Sequence, residues 1–172
     1  ACNAATYKRV DETAYLMGVS VAPDDVYLAA RGLRTMGTRL RQHYENGVKV
    51  AKWLQQRPEV KRVLHPALPE DPGHEIWKRD FTGASGLFGF IMDQPSEKAL
   101  AHMMDNLDYY GMGFSWGGFE SLLIPVQPET IRTTTTWDEP GQTMRIHIGL
   151  ENVDDLIADL EAGLDRLKEI DN

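Results

Sequence analysis

The sequence lacks most features that mark secreted, membrane-bound or metal-dependent proteins. It has one cysteine, Cys2, so no disulfide can form within the chain. No run of about 18 apolar residues occurs, which argues against a membrane-spanning helix. Neither usual spacing of a phosphate-binding glycine loop is present, and the five histidines are scattered. We therefore expect no metal and no membrane contact, and the lone cysteine fits a reducing cytoplasm.

What is present is the composition of an ordinary globular domain. The chain has 172 residues, of which 42 % are hydrophobic and 26 % charged, and its net charge is −8. An acidic balance argues against nucleic acid as a partner. Four arginines do cluster on one predicted helix, and a solvated helix face explains them better than nucleic-acid contact. They are Arg31, Arg34, Arg39 and Arg41. Because the first residue is Ala rather than Met, we expect a piece of a longer protein.

Hydrophobic periodicity predicts one long helix followed by alternating short strands and helices. The long helix begins at Pro23 and ends by Arg57, because Pro58 disfavours helical geometry in the residue before it. Residues 1–22 show no clear period, and residues 127–143 predict an irregular loop. Apolar runs predict strands at residues 60–64, 86–92, 122–126 and 144–150.

The remaining predicted helices, together with the strands, indicate the fold class. A helical turn or two is expected at residues 74–81, and Ser96 is a candidate cap for a helix whose apolar face extends to Leu107. Asn152 should cap a final amphipathic helix. Together these elements predict an α/β architecture, with a small, mainly antiparallel sheet covered by helices on the C-terminal side of a long linking helix.

Two segments have a composition that plain scaffolding does not require. Residues 112–121 place a serine and a tryptophan beside paired glycines; a turn with a core tryptophan is the simpler interpretation on pattern alone. Arg145 lies in mid-strand, opposite an apolar face, where it either points to solvent or lines a cleft. Arginine is the usual forked donor for a carboxylate, although the pattern alone favours solvent.

These segments resemble motifs of the cysteine/methionine-metabolism family of pyridoxal-phosphate (PLP) enzymes. Residues 115–122 are Ser-Trp-Gly-Gly-Phe-Glu-Ser-Leu, and residues 145–151 are Arg-Ile-His-Ile-Gly-Leu-Glu. Further matching stretches, such as residues 73–83 and 153–160, extend the resemblance over essentially the whole chain. Trp116 favours the branch of the family that releases a thiol from the β-carbon of an amino acid.

The resemblance implies the fold of a fold-type-I PLP-dependent enzyme and a division of the chain. Residues 1–33 would be the tail of the PLP-binding domain and the start of the linking helix, and residues 34–172 the C-terminal domain. The Schiff-base lysine would lie upstream of Ala1, in a PLP domain absent from this sequence. No catalytic, cofactor-binding or metal-binding residue is therefore assigned within the chain.

The resemblance also implies substrate-binding residues and a reaction. Arg145 would bind the α-carboxylate of an amino-acid thioether, and Ser115 and Trp116 would line the same pocket. Phe114 and Phe119 stand where relatives can have hydroxyl-bearing residues, which leaves substrate preference open. The implied activity is that of a carbon–sulfur lyase of methionine biosynthesis, with a homo-oligomer, a tetramer, as the complete enzyme. Another lyase or a γ-synthase of the family, or a folded fragment without catalysis, are the alternatives.

Overall fold

The computed structural model describes residues 2–171 and divides the chain into two compact units, Ala1–Gly37 and Thr38–Asn172. Within the described residues, no helix is both long and apolar enough to cross a membrane. The first unit contains helix α1 (Ala4–Leu16) and the start of α2 (Pro23–Leu54). No side chain of residues 2–37 is buried.

Helix α1 lies in residues 1–22, where the sequence shows no clear period and no element was predicted. Its start is capped by Asn3, whose Oδ1 accepts a hydrogen bond from the Thr6 N–H at 3.1 Å. Its end is closed by Gly18, which adopts a left-handed φ of +66° and continues the chain out of the helix. Hydrophobic periodicity does not reveal this helix. Because it has no buried face, its apolar residues need not repeat at helical spacing.

Helix α2 begins at Pro23 as predicted and ends at Leu54, before the Arg57–Pro58 pair. Asp24 and Asp25 lie in its first turn, where acidic side chains suit the positive end of the helix dipole. Its last three turns supply the buried side chains, which recur at helical spacing: His43, Asn46, Gly47, Val50, Ala51 and Leu54.

The second unit is built on a five-stranded sheet in the order β1-β2-β5-β4-β3. Its strands are β1 (Val60–Leu64), β2 (Leu87–Met92), β3 (Tyr110–Gly111), β4 (Ser121–Val126) and β5 (Gln142–His147). All pairings are antiparallel except that of β3 with β4, which confirms the predicted mainly antiparallel sheet. The two-residue β3 was not predicted because it is too short to show alternation.

Three helices complete this unit, namely α3 (His74–Asp80), α4 (Glu97–Met104) and α5 (Val153–Asp171). Both predicted caps are confirmed: Ser96 Oγ accepts from the Ala99 N–H at 3.1 Å, and Asn152 Oδ1 accepts from the Asp154 N–H at 2.9 Å. The prediction that the α4 face extends to Leu107 is wrong. The helix ends at Met104, and Leu107 packs partly buried against the core from the turn that follows.

One face of the sheet and the helices form the core. Met144 and Ile146 of β5, Phe90 of β2 and Leu123 of β4 are fully buried there. They pack in one cluster with Leu156, Leu160 and Leu164 of α5 and Val50 and Leu54 of α2. Because side chains alternate along a strand, Arg145 lies on the opposite face, called the outer face below.

Candidate substrate-binding site

Arg145 lies at the centre of the outer face. Its neighbours across the sheet are Gly89 on β2 and Ile124 on β4. Gly89 has no side chain, and an added Cβ there would lie 3.3 Å from the Met144 carbonyl oxygen and 3.4 Å from a methyl group of Leu64. The sheet therefore fixes the backbone of Arg145 on the outer face, with Leu64 packed over the neighbouring glycine.

The guanidinium is half-buried and held by backbone carbonyls rather than by a carboxylate. Nη2 of Arg145 donates to the carbonyl oxygens of Gly113 at 3.0 Å and Phe114 at 2.7 Å. The guanidinium carbon also lies 5.9 Å from the centre of the Phe114 ring. In the described part of the chain the other N–H groups of Arg145 have no partner, so three donors remain for an anion. This geometry replaces the solvent-pointing interpretation that the pattern alone favoured.

The segment of residues 113–121, called the anchor loop below, is tied to β5 and the turn after it. Beyond the two bonds from Arg145, Nε2 of His147 bonds the Gly118 carbonyl at 3.1 Å. The Leu150 N–H donates to the Phe119 carbonyl at 2.8 Å. Burial lowers the pKa of His147, which therefore donates to Gly118 as a neutral imidazole. The anchor loop is thus held by polar contacts on both sides of residues 115–117.

Ser121 and Glu151 close the base of the anchor loop. The Glu151 carboxylate accepts from the Ser121 N–H at 2.7 Å and from the Ser121 hydroxyl at 2.9 Å. That hydroxyl accepts in turn from the Gly149 N–H at 2.8 Å. Gly149 tolerates no side chain, because an added Cβ would lie 2.2 Å from the Phe119 carbonyl oxygen. These three residues explain why the two quoted motifs occur together.

Helix α2 supports the same turn from the other side. Nδ1 of His43 lies 2.7 Å from the Ile148 carbonyl, and a carbonyl only accepts, so this nitrogen carries the hydrogen. Nδ2 of Asn46 donates to the carbonyls of Gly149 at 3.4 Å and Glu151 at 3.3 Å. Sequence reasoning missed both supports, although polar residues on the apolar stripe of α2 were a usable signal.

Ser115 and Trp116 lie at the exposed tip of the anchor loop. Trp116 is 57 % exposed, and Gly117 next to it has a left-handed φ of +93°. The structure brings Phe114 to Arg145 but places neither Ser115 nor Trp116 among the residues that line the cavity beside it. Their assignment to the substrate pocket stays a prediction.

A cavity of about 920 Å³ adjoins Arg145 on the outer face. It is lined by residues of β1, β2, β4 and β5, by Leu100 of α4 and Phe114 of the anchor loop, and by the connection between β4 and β5, residues 127–141. Its charged lining consists of two arginines, Arg132 and Arg145, and includes no carboxylate and no lysine. The described residues contain no group of three or more side chains able to hold a metal ion. This site can bind an anion by hydrogen bonds and charge.

Comparison with known proteins places this site in a family. The family model described as "Cys/Met metabolism PLP-dependent enzyme" matches residues 1–165. The chain belongs to this family. The match covers the outer face, the anchor loop and most of α5, so every contact described above lies within the family region.

Individual relatives and solved structures show which members of the family the chain resembles. The chain is 52 % identical to cystathionine beta-lyase of Escherichia coli (strain K12) over 96 % of its length, and 43 % identical to an L-alanine/L-glutamate racemase of Wolbachia pipientis over 94 %. The solved structure of a cystathionine gamma synthase from Xanthomonas oryzae in complex with cystathionine superposes with a TM-score of 0.84 over 98 % of the chain at 32 % identity. The chain spans only 43 %, 40 % and 45 % of these proteins, respectively.

The residues around the cavity do not by themselves form a PLP site. A Schiff base with PLP needs a lysine amine, and no lysine lines the cavity. Four lysines of the chain form ion pairs elsewhere: Lys8 with Glu12, Lys49 with Asp154, Lys61 with Asp93 and Lys168 with Glu59. The two arginines of the cavity lining can bind an anionic group such as a carboxylate.

Proposed function

We propose that this chain supplies the substrate-carboxylate site of a carbon–sulfur lyase that cleaves cystathionine to homocysteine, pyruvate and ammonia. The observation that supports this proposal is Arg145, a half-buried guanidinium with three free donors in a cavity without carboxylates. Arginine presents its donors in a fixed plane and stays charged, so the free Nε and Nη1 groups of Arg145 can donate to a carboxylate oxygen. The 52 % identity to a cystathionine beta-lyase directs the choice of substrate.

In this proposal the chain orients the substrate and leaves the bond chemistry to PLP. Arg145 binds the α-carboxylate, and the Gly113 and Phe114 carbonyls hold its guanidinium in position before substrate arrives. Ser115 and Trp116, on the same anchor loop, would contribute to the wall of the pocket. PLP supplies the electron sink for elimination when bound, and a lysine outside this chain would hold it.

The proposed complete enzyme is a longer polypeptide that contains a PLP-binding domain. The chain spans less than half of each relative, which supports this part of the proposal. Residues 1–33 would then belong with the PLP domain and residues 34–172 would form the C-terminal domain. We further propose that the complete enzyme is cytoplasmic and forms a homotetramer. Light scattering of the complete protein would measure the mass of the assembly.

The assay that tests the function identifies the products formed by the complete polypeptide. With L-cystathionine, β-elimination gives pyruvate and homocysteine, whereas γ-elimination gives 2-oxobutyrate and cysteine. The racemase relative provides a second candidate function, which D-alanine formation from L-alanine would reveal. Pyruvate as the main keto acid supports the proposal, and either of the other products in its place contradicts it.

Arg145→Lys tests the residue assignment in the same assay. We expect KM for cystathionine to rise about 10- to 100-fold, since a hydrogen-bonded charged pair contributes about 1.5–3 kcal/mol. The absorption of bound PLP should stay unchanged, because Arg145 is not assigned to the cofactor. Arg79→Gln is the matched control, since Arg79 lies exposed on α3 beside Asp80. An unchanged KM in Arg145→Lys would reject the assignment.

A further inference from the structure

The turn after β5, residues 148–151, is held by two parts of the second unit. On one side the Ile148 N–H donates to the carbonyl of Gly86, just before β2, at 2.8 Å. On the other side His43 of α2 donates from Nδ1 to the Ile148 carbonyl at 2.7 Å. His43 is 4 % exposed, so this bond forms away from water, where hydrogen bonds are electrostatically stronger. Asn46, the other α2 residue bonded to this turn, donates at 3.3 and 3.4 Å, so the His43 bond is the shorter.

His43 also contacts the histidine that holds the anchor loop. The ring centres of His43 and His147 lie 5.2 Å apart, with an angle of 41° between the ring planes. Nε2 of His147 donates to the Gly118 carbonyl, whereas its Nδ1 is buried and has no hydrogen-bond partner within the described part of the chain. A single hydrogen bond leaves a ring free to turn about it, so packing against His43 contributes to holding the plane of His147.

These contacts lead from α2 to the guanidinium of Arg145. Arg145 and His147 are two residues apart on β5, and both hold carbonyl oxygens of the anchor loop. The residue directly after His147 is Ile148, and its carbonyl is the group that His43 holds. Loss of this bond would let the end of β5 shift relative to the anchor loop. The free donors of Arg145 would then no longer keep a fixed position.

We propose that His43 is a positioning residue, whose N–H bond to the Ile148 carbonyl keeps Arg145 oriented for the substrate carboxylate. This inference rests on the proposed function, in which Arg145 binds that carboxylate. His43 itself touches no substrate and acts through the end of β5 and the anchor loop. Loss of a positioning contact weakens substrate binding and raises KM. A mere loss of stability lowers the amount of folded enzyme and therefore the apparent kcat, so the two roles can be separated.

Kinetics of the complete polypeptide with L-cystathionine test the inference with two variants. His43→Phe keeps a ring beside His147 and removes the donor to Ile148. His43→Asn removes the ring, but its amide nitrogen lies as many bonds from Cα as Nδ1 does and can still donate. We expect KM to rise about three- to tenfold in His43→Phe, with kcat changed by less than about twofold, and to rise less in His43→Asn.

Val50→Ala is the matched control for a loss of stability. Val50 lies about two turns further along α2, is fully buried and packs in the core cluster. Its truncation should lower the midpoint of urea denaturation and leave KM unchanged. A raised KM in Val50→Ala would show that any loosening of α2 weakens substrate binding, which would overturn the specific role of His43.

A double variant tests whether His43 acts through Arg145. When His43→Phe is added to Arg145→Lys, KM should rise by less than about twofold further, because the site that His43 positions is already impaired. Two independent effects would multiply instead.

The outcomes separate this inference from the proposed function. If Arg145→Lys raises KM and His43→Phe does not, the carboxylate assignment stands and the positioning role is wrong. The positioning role is also wrong if the two effects multiply in the double variant, or if His43→Asn raises KM as much as His43→Phe. If Arg145→Lys leaves KM unchanged, the carboxylate assignment itself is rejected and the inference fails with it.

Discussion

The two faces of the sheet are held in place by different interactions, although they are formed by the same strands. On the inner face Met144 and Ile146 of β5 are fully buried among apolar side chains of α5 and α2. On the outer face their neighbours in sequence, Arg145 and His147, hold the anchor loop through hydrogen bonds to carbonyl oxygens. One strand thus supplies both the core and the site.

The difference indicates how stability and function are separated in this domain. Apolar burial is non-directional and tolerates exchange of similar side chains, so the inner face mainly determines the free energy of unfolding. Hydrogen bonds to fixed carbonyls require defined positions, so the outer face mainly determines geometry. Substitutions on the two faces should therefore differ in which property they change.

Phe90→Ala should cause the largest loss of stability, because it leaves a cavity on the inner face. Phe90 is fully buried on β2, and a phenylalanine truncated in a core costs about 3–5 kcal/mol. Urea denaturation followed by circular dichroism measures the loss. Phe119→Ala is the control, since Phe119 in the anchor loop is 74 % exposed and its truncation should leave the free energy of unfolding nearly unchanged. Equal losses in the two variants would contradict the contrast between the faces.

Ser121→Ala should break the base of the anchor loop at intermediate cost. The buried hydroxyl of Ser121 bonds both the Glu151 carboxylate and the Gly149 N–H, and its removal leaves these groups without that partner. A buried polar group left unsatisfied costs about 1–3 kcal/mol. The same denaturation experiment on Ser115→Ala should show almost no change, because Ser115 is exposed at the loop tip. A neutral Ser121→Ala would show that the hydroxyl contacts with Glu151 and Gly149 do not stabilise the loop.

Asn152→Ala should lower the free energy of unfolding by about 1 kcal/mol, less than Ser121→Ala, because it removes only the cap of α5. The helix keeps its buried leucines against the inner face, so packing still holds it in place. Asn152→Asp keeps an acceptor for the Asp154 N–H and should remain close to the wild type in thermal unfolding. If the alanine and aspartate variants lose the same stability, the cap bond is not the cause.

The inner face was largely predictable from sequence, and particular residues show why. The strands at Val60–Leu64 and Leu87–Met92 and the caps at Ser96 and Asn152 depend on residues close together in the chain. Alternation, capping preference and apolar spacing act over a few residues, so a sequence displays them directly. Helix α1 could not be predicted in this way, because none of its residues is buried.

The outer face was predictable only where a motif indicated it. Arg145 was singled out from its residue type and from the resemblance, but its contacts with Gly113 and Phe114 span more than 30 residues. The pairing of Ser121 with Glu151 spans 30 residues, and His43 reaches Ile148 across 105. Such contacts follow from the sheet order, which local patterns do not specify.

The smallest effect, a pH dependence, should come from His147 on the outer face. Burial lowers the pKa of His147 below its ordinary value of 6.5, so the unfolded chain takes up a proton more readily than the folded one. The stability that the neutral imidazole contributes is therefore present above pH 6.5 and is lost as the pH falls through the lowered pKa. His147→Gln, whose amide can still donate to Gly118, should flatten this part of the dependence.

Unfolding free energies measured at pH 7.5 and pH 5 test this expectation. The wild type should lose more stability on acidification than His147→Gln, and the difference should be smaller than the cost of Ser121→Ala. Burial also lowers the pKa of His65, so part of the acid sensitivity should persist in the variant. His74→Gln removes a half-buried histidine of α3 and serves as the control for the loss of one imidazole. If stability falls equally with pH in His147→Gln and in the wild type, the expectation is contradicted. The folded chain would then accommodate a protonated His147 ring beside the Gly118 carbonyl without loss of stability.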